Sequence, residues 1–387
     1  MTPALTTPPL SLYVHLPWCV RKCPYCDFNS HEGRGALPFD AYVDALIADL
    51  EHDLPLVWGR TVHSVFFGGG TPSLFPPEFI DRFLQGASAR LRFAPGCEIT
   101  LETNPGTAEH GRFELYKAAG VNRLSFGIQS FDDGCLKRLG RIHDSGEAEA
   151  AVKLAQDAGF DNLNLDLMYA LPGQSLAMAE EDLRRAFALD PAHISHYQLT
   201  LEPNTVFAAR PPQGIPDEDG AWDIQEHCQA LLAEHGYGQY EVSAYARPGR
   251  RCQHNLNYWR YGDYLGIGAG AHGKLTLGAE QAILRRWKLK HPAQYLAQAG
   301  SAAAIGGDDR IAPQRRPFEY MLNVLRLVDG FSLDSFESCT GLSRQSIEPQ
   351  LQAAFKAGWL QRDGDAVRPT ELGRRFTNDV VALFLNE

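Results

Sequence analysis

Residues 12–28 read LYVHLPWCVRKCPYCDF. Leu12–Leu16 joins branched, aromatic and leucine side chains over five positions, the composition of a short strand. Directly after it, Cys19, Cys23 and Cys26 fall into the spacing C-x3-C-x2-C. A structural zinc site wants four ligands, typically in two paired sets. No fourth Cys or His follows at matching spacing, and His31 is the nearest candidate. Three thiolates instead suit a [4Fe–4S] cluster, which cysteine thiolates hold. The fourth iron is then open to a small-molecule chelate that can accept an electron. Trp18 and Tyr25 supply aromatic bulk that would shield such a cluster from water.

The pattern around this motif repeats. Further strand candidates stand at Ser64–Phe67, Glu98–Glu102, Arg123–Ile128, Asn162–Met168 and His193–Leu201. Amphipathic stretches separate them at Phe39–Leu54, Pro77–Leu91, Glu109–Ala119, Gly146–Ala158 and Met178–Leu189. In the first of these, Phe39, Tyr42, Val43, Leu46, Ile47 and Leu50 share one helical face. Six consecutive βα units predict an α/β fold, a parallel sheet covered by helices. Right-handed crossovers allow a partial barrel or an open doubly wound sheet. In both, functional groups belong at the carboxyl ends of the strands.

After Leu201 the rhythm breaks. Pro203–Pro216 is a proline-rich connection, followed by a helix at about Asp217–His235 and a strand at Tyr240–Tyr245. Next come His254–Trp259 (HNLNYW) and the glycine-rich LGIGAGAHG. A second boundary is expected near Gly306–Pro313. Beyond it the pattern predicts helices at Arg316–Val328, Leu333–Cys339 and Arg344–Ala357. A hairpin of Trp359–Arg362 and Ala366–Arg368 across an Asp-Gly turn follows, then a last helix at Thr370–Leu385. The chain thus divides into residues 1–205, 206–308 and 309–387, the last a mainly helical, winged-helix-like module.

Charge narrows the partners. The 387 residues hold 36 Lys+Arg and 47 Asp+Glu, a net charge of −11. So acidic a chain repels phosphate backbones, which argues against nucleic acid. From Ile311 onward there are 9 Lys+Arg against 10 Asp+Glu, so the winged-helix-like module is expected to be structural, not DNA-reading. No run approaches the ~18 apolar residues of a membrane span, and Met1–Leu10 lacks the basic and apolar blocks of a signal peptide. Cys97, Cys135, Cys228, Cys252 and Cys339 are scattered singly, unlike a disulfide framework. They read as ordinary buried thiols, and a cytoplasmic location is expected.

The cysteine motif resembles that of the radical S-adenosylmethionine (SAM) superfamily. The resemblance covers Leu12 to about Leu201 and implies a partial (β/α)6 barrel. It also implies a [4Fe–4S] cluster on Cys19, Cys23 and Cys26, with SAM chelated to the open iron. Phe67–Pro72 (FGGGTP) ends the second strand, and by resemblance it receives the SAM amino group through Gly69, Gly70 and Thr71. Glycines there permit close backbone approach to a ligand. Glu102, Gln129 and Asp166 are polar residues interrupting apolar runs near the ends of strands three to five. The resemblance assigns them to ribose and adenine, with Tyr13 and Tyr25 nearby. It assigns Arg141 to the SAM carboxylate, a charge-assisted fork.

A longer set of segments narrows the resemblance. YVHLPWCxxxCxYC, FGGGTPS, LETNPG, RLSFGIQSF, NLDLMYALPGQ and the C-terminal module are similar to the anaerobic coproporphyrinogen-III oxidase family over nearly the whole chain. That family holds oxygen-independent dehydrogenases of porphyrin biosynthesis, which decarboxylate coproporphyrinogen III to protoporphyrinogen IX, and a branch of heme chaperones. The dehydrogenase motif continues as C-x3-C-x2-C-G-C, whereas Asp27 and Phe28 follow Cys26 here. Dehydrogenases carry an N-terminal extension, whereas 18 residues precede Cys19. The chaperone branch carries HNxxYW, present as His254-Asn255-Leu256-Asn257-Tyr258-Trp259. Histidine is a common axial ligand of heme iron, and Tyr258 and Trp259 offer flat apolar faces. Cys252 reads as a plain buried thiol rather than a second iron ligand. The expectation is a heme-binding protein, with heme at His254, that delivers heme to apo-haemoproteins such as respiratory enzymes. Any membrane contact would be peripheral, through those recipients. The alternative is the coproporphyrinogen III dehydrogenase.

Overall fold

The computed structural model describes residues 3–105 and 112–385. Six strands form the expected parallel run: β1 (Leu10–Leu16), β2 (Thr61–Gly69), β3 (Arg92–Thr103), β4 (Arg123–Gln129), β5 (Leu163–Tyr169) and β6 (His193–Gln198). Each pairs in parallel with the next. Helices α1 (Phe39–Asp53), α2 (Pro77–Ser88), α3 (Phe113–Ala118), α4 (Asp133–Arg138), α5 (Ser145–Asp157) and α6 (Leu176–Ala188) connect them. The helix expected from Glu109 starts outside the described residues and is seen from Phe113. The arrangement is the partial (β/α)6 barrel. Both faces of a parallel sheet are covered, which explains why Val14, Val65, Phe67, Leu101, Phe126 and Leu165 all lie in one core. Tyr42, Val43, Leu46 and Leu50 of α1 pack into that same core.

The sheet continues past both edges of the barrel. β7 (Gly238–Glu241) and β8 (Ala244–Ala246) form an antiparallel hairpin on β6. The single strand expected at Tyr240–Tyr245 is therefore two, turning at Val242–Ser243. On the other edge β9 (Asp263–Ile267) runs parallel to β1, and β10 (His272–Leu277), β11 (Ala282–Lys288) and β12 (Ile305–Arg310) follow antiparallel. The order is β12-β11-β10-β9-β1-β2-β3-β4-β5-β6-β8-β7.

Within the stretch where a boundary is expected, near Gly306–Pro313, Ile305–Arg310 is strand β12 of the large sheet. Gly306 and Gly307 resemble linker residues, but they make room for Trp287. A Cβ on Gly307 would lie 2.1 Å from the indole.

Between the edge strands, α7 (Glu218–Glu234) covers the β6 side, and α8 (Gln253–Trp259) carries HNLNYW. The C-terminal module packs helices Arg316–Val324, Leu333–Thr340 and Glu348–Lys356 against a three-stranded sheet, Phe331–Ser332, Ala366–Pro369 and Leu360–Asp363. It has its own core around Tyr320, Met321, Phe336 and Leu351, which Leu5, Tyr261 and Ile283 join. The expected last helix is broken into Glu371–Arg375 and Thr377–Ala382 at Phe376 (φ −110°, ψ 34°). No helix among the described residues is long and apolar enough to cross a membrane.

A buried charge network clamps α1 to the outer strands. The Lys288 ammonium lies between Asp49 and Asp53, all three fully buried, and is 2.7 Å from Asp53. Asp49 accepts from the Tyr295 hydroxyl (2.8 Å) and the Gly268 N–H (3.2 Å). The Tyr42 hydroxyl accepts from the Ala269 N–H and donates to the His15 carbonyl. The glycine-rich turn after β9 is thereby fixed against the end of β1.

Candidate functional site

Two adjoining hollows open over the carboxyl ends of the barrel strands. The smaller, of about 320 Å³, receives the loop after β1 with Cys19, Cys23, Tyr25 and Cys26. Gly69, Gly70 and Thr71 face it from the end of β2, Glu102 from β3, Gln129 from β4, Asp166 from β5, and Arg141 from the segment after α4. Eleven of the thirteen residues selected from the sequence therefore share one cavity. Tyr13 and His254 do not line it.

Cys19 is buried and Cys23 and Cys26 half-buried, all as free thiols. Burial pushes the Cys19 thiol up to about 11, with its two sister cysteines adding and the Thr71 hydroxyl opposing. Among the described residues no three His, Cys, Asp or Glu side chains converge to hold a single metal ion. All three cysteines line the smaller hollow.

The Arg141 guanidinium is buried beside them. It donates to Cys23 Sγ (3.6 Å), the Gly127 carbonyl (2.6 Å) and Asn104 Oδ1, while its Nε has no partner. Asn104 also donates to Thr71 Oγ1 (3.1 Å), joining the ends of β2 and β3. Asn104 was not selected from the sequence, although the quoted segment LETNPG contains it.

Two carboxylates share the floor. Among the described residues Glu102 accepts one long bond, from the Gly69 N–H (3.3 Å). Burial, then Asp166, push its carboxyl up to about 8. Asp166 accepts from Ser125 (3.1 Å) and Asn164 (2.8 Å), and its carboxyl is raised by burial against those bonds. Gln129 has a left-handed backbone (φ 72°) and accepts from the Tyr197 hydroxyl at 2.8 Å. Such a conformation is costly for a residue with a side chain and collects at functional sites. Gly70 approaches the Trp18 carbonyl so closely that a Cβ would lie 2.5 Å from it.

The larger hollow, of about 880 Å³, meets the smaller at Cys26, Phe28, Ser30, Gly69 and Glu102. Its walls include Tyr13, Phe66, His254, Tyr258, Trp259 and Tyr264. Phe28, 62% exposed, stands at the junction of the two. The sequence suggested Tyr13 as a neighbour of SAM. Its place here follows from its hydroxyl, which donates to His15 Nδ1 (3.0 Å) while His15 Nε2 donates to the Asn29 carbonyl (2.9 Å). Burial lowers His15 to about 4, so it stays neutral. His15, absent from the sequence reading, also supports Gly69, where a Cβ would lie 2.7 Å from its ring.

His254 sits in the first turn of α8. Glu98 caps that turn, accepting from the N–H groups of Gln253 (2.8 Å) and His254 (3.2 Å) and from the Cys252 thiol (3.5 Å). A carboxylate at a helix N-terminus satisfies otherwise orphaned donors. Cys252 is thus a buried thiol outside the hollow, as expected. His254 Nδ1 lies 3.2 Å from Ser64 Oγ, and Ser64 bonds Ser11, which accepts from Asn257 of the same helix. Its ring is 4.9 Å from that of Phe66. Burial and Arg123 lower its pKa to about 3. Among the described residues Nε2 has no hydrogen-bond partner, and the residue lines the larger hollow.

A partial (β/α)6 barrel whose first strand delivers C-x3-C-x2-C onto a glycine-rich second-strand end defines a radical SAM protein. The Radical SAM superfamily model matches residues 13–186, and the HemN C-terminal domain model matches residues 311–376. The chain is 50% identical over 380 residues to the heme chaperone HemW of Escherichia coli (strain K12), covering 98% of this chain and 99% of that protein. It is 32% identical over 382 residues to HemW of Bacillus subtilis (strain 168), covering 97% and 99%. The chain belongs to the HemW family. Among solved structures, coproporphyrinogen III oxidase (HemN) from Escherichia coli, described as a radical SAM enzyme, superposes with a TM-score of 0.82 at 25% identity, over 98% of this chain and 90% of that one. Membership of the radical SAM superfamily implies a [4Fe–4S] cluster and SAM.

Proposed function

We propose that this protein is a heme chaperone: it holds heme in the larger hollow and passes it to apo-haemoproteins in the cytoplasm. The observation that carries this reading is His254 itself, a neutral imidazole held through Nδ1 on the wall of an aromatic-lined space of about 880 Å³. With its proton on Nδ1 and donated to Ser64, the ring has the arrangement of a metal-ligating histidine. A volume in the range of 300–1,000 Å³ suits a cofactor-sized ligand.

The smaller hollow fits a [4Fe–4S] cluster on Cys19, Cys23 and Cys26. Three thiols with no fourth Cys or His on the lining suit a cluster with one open iron better than a four-ligand zinc site. SAM fits beside it. The unpartnered Nε of Arg141 suits a ligand carboxylate, and the bare backbone at Gly69–Gly70 suits close approach of its amino group. Glu102, Gln129 and Asp166 offer acceptors to ribose and adenine, and Tyr25 closes the side. When bound, the cluster supplies a single electron to SAM. The chain's own part is to orient SAM, to exclude water with Trp18 and Tyr25, and to separate the two hollows with Phe28.

Residues 1–205 then serve as the cluster and SAM unit, 206–308 as the heme-facing extension, and 309–387 as a module that covers it. Hemin titration followed at the Soret band tests the reading. Wild type should saturate near one heme per chain, and His254→Ala should bind at least tenfold more weakly. Absence of specific heme uptake by wild type would sink it.

The likeness to coproporphyrinogen III oxidase favours a second reading, decarboxylation of coproporphyrinogen III. Phe28 standing where that enzyme's motif has a fourth cysteine counts against it. Anaerobic turnover to protoporphyrinogen by cluster-loaded protein would establish it.

A further inference from the structure

The outer strands and their turns carry a run of basic residues, and nearly all are matched. Lys274 pairs with Asp263 (2.9 Å), Arg286 with Asp308 (2.8 Å), Lys288 with Asp53 (2.7 Å), Arg310 with Glu280 (2.6 Å), and Arg285 with Glu319. Lys290, just past the end of β11, is the exception. Among the described residues no carboxylate lies within 4.0 Å of it, and it lines the larger hollow. Lys22, on the cysteine loop, lines the same space and is likewise unmatched. Its ammonium donates to two neutral acceptors, the carbonyls of Phe28 (2.9 Å) and Ser30 (3.4 Å). An ammonium has three donors, and the third has no partner among the described residues.

Asn29 brings the two lysines to one place. Lys22 holds the residues on either side of it, while the Asn29 amide donates to the carbonyls of Ala269 (2.9 Å) and Lys290 (2.8 Å). Two histidines beside them report the local charge. Burial lowers the pKa of His31 and of His272, and basic neighbours add to the effect: His291 and Lys22 at His31, Lys290 and Arg285 at His272. Positive potential therefore gathers here in a chain whose net charge is −11. Asp27, the exposed carboxylate on this wall, is within 4.0 Å of neither lysine.

The other end of the hollow is apolar. Tyr13 and His15 share one face of β1, about 7 Å apart along the strand. At Tyr13 stand Phe66 and His254, with ring centroids at 6.4 and 6.3 Å, and Tyr258 follows His254 one turn later in α8. At His15 stands Asn29, its carbonyl 2.9 Å from Nε2. The hollow thus runs from an aromatic end at α8 to a basic end at the cysteine loop. A flat ligand with an apolar edge and a carboxylate edge matches that polarity.

We propose that Lys290 and Lys22 receive the propionates of heme, so that the macrocycle lies with its carboxylate edge toward the cysteine loop and its apolar edge toward Tyr258 and Trp259. This inference rests on the heme-binding reading given above. It makes the basic end a specificity element that selects carboxylate-bearing porphyrins, and no covalent or redox step is involved.

The test compares hemin with hemin dimethyl ester, whose propionates are neutral, by Soret titration of the full chain in one detergent buffer. Wild type should prefer hemin. Lys290→Gln should weaken hemin about fivefold, the upper value for an exposed ion pair, and leave the ester unchanged. Lys290→Glu should weaken hemin further, and Lys290→Arg should restore it. Adding Lys22→Gln to Lys290→Gln should bring the two ligands to equal affinity. His254→Ala, by contrast, should weaken both ligands alike. Equal binding of hemin and ester by wild type, or an unchanged hemin affinity in Lys290→Glu, would overturn the assignment while leaving heme binding intact. So would an equal loss of both ligands in Lys290→Gln. Failure of wild type to take up either ligand would overturn the parent reading, and this one with it.

Discussion

Replacing Glu102 by Gln should make the SAM-free chain more stable and its SAM binding worse. Glu102 is buried, faces Asp166, and has one long backbone donor, Gly69. Its carboxyl ionises near 4.5 in an unfolded chain and near 8 in the fold. Folding therefore takes up a proton between those values, and stability falls as pH rises through the window. Each tenfold change in proton affinity is worth about 1.4 kcal/mol. The cost is then under about 1 kcal/mol at pH 5, about 3 at pH 7 and about 5 at pH 9. Gln keeps the size and an acceptor for the Gly69 N–H but cannot ionise. Thermal unfolding midpoints of wild type and Glu102→Gln, compared from pH 5 to 9 without SAM, should diverge as pH rises to about 8 and then level off. SAM affinity of the variant at neutral pH should fall about fivefold, the value of one ordinary hydrogen bond. Parallel midpoint curves for the two proteins would refute the argument, since they would mean that Glu102 pays no penalty for ionising in place.

Three other changes probe the remaining parts. Changing Cys19, Cys23 or Cys26 to Ala should abolish the brown absorption at ~400 nm and the matching iron and sulfide, because thiolates hold such clusters; a variant with full iron and sulfide content would refute the ligand assignment. Gly70→Ala pushes a methyl to 2.5 Å from the Trp18 carbonyl. It should cost about 1–3 kcal/mol and impair SAM binding, and isothermal titration with unchanged affinity would contradict the cradle. Lys288→Met strands Asp49 without its cation and leaves Asp53 only Arg286. A loss of about 3–5 kcal/mol is expected on denaturant unfolding, and a neutral result would mean that water reaches the pair.

The barrel was legible because each of its strands is a compact apolar run closed by a polar or glycine residue, and those endings are the cavity wall. The outer strands β10 to β12 were not. Lys274, Arg285, Arg286 and Lys288 interrupt their apolar pattern, and their charges are neutralised only by partners distant in sequence, Asp263, Glu319, Asp308 and Asp53. Glu98 looked like the opening residue of a strand, and its role as the cap of α8 spans 155 positions to Gln253. The motif at His254 was legible only through family resemblance, since one histidine in a polar stretch has no physical signature.

β1 bears a further consequence for how the chain is made. It precedes the other strands of the sheet in sequence, yet it lies in the interior of the sheet, between β2 and β9. Leu10–Val14 cannot complete their ladder until residues 263–267 have been synthesised. During that interval the nascent half-barrel carries an open, apolar edge, the kind of surface that recruits other strands, and its closure is a contact of very long sequence separation, hence slow. The strand that leads into the cysteine loop is thus locked on its second edge only after more than 250 further residues have been made.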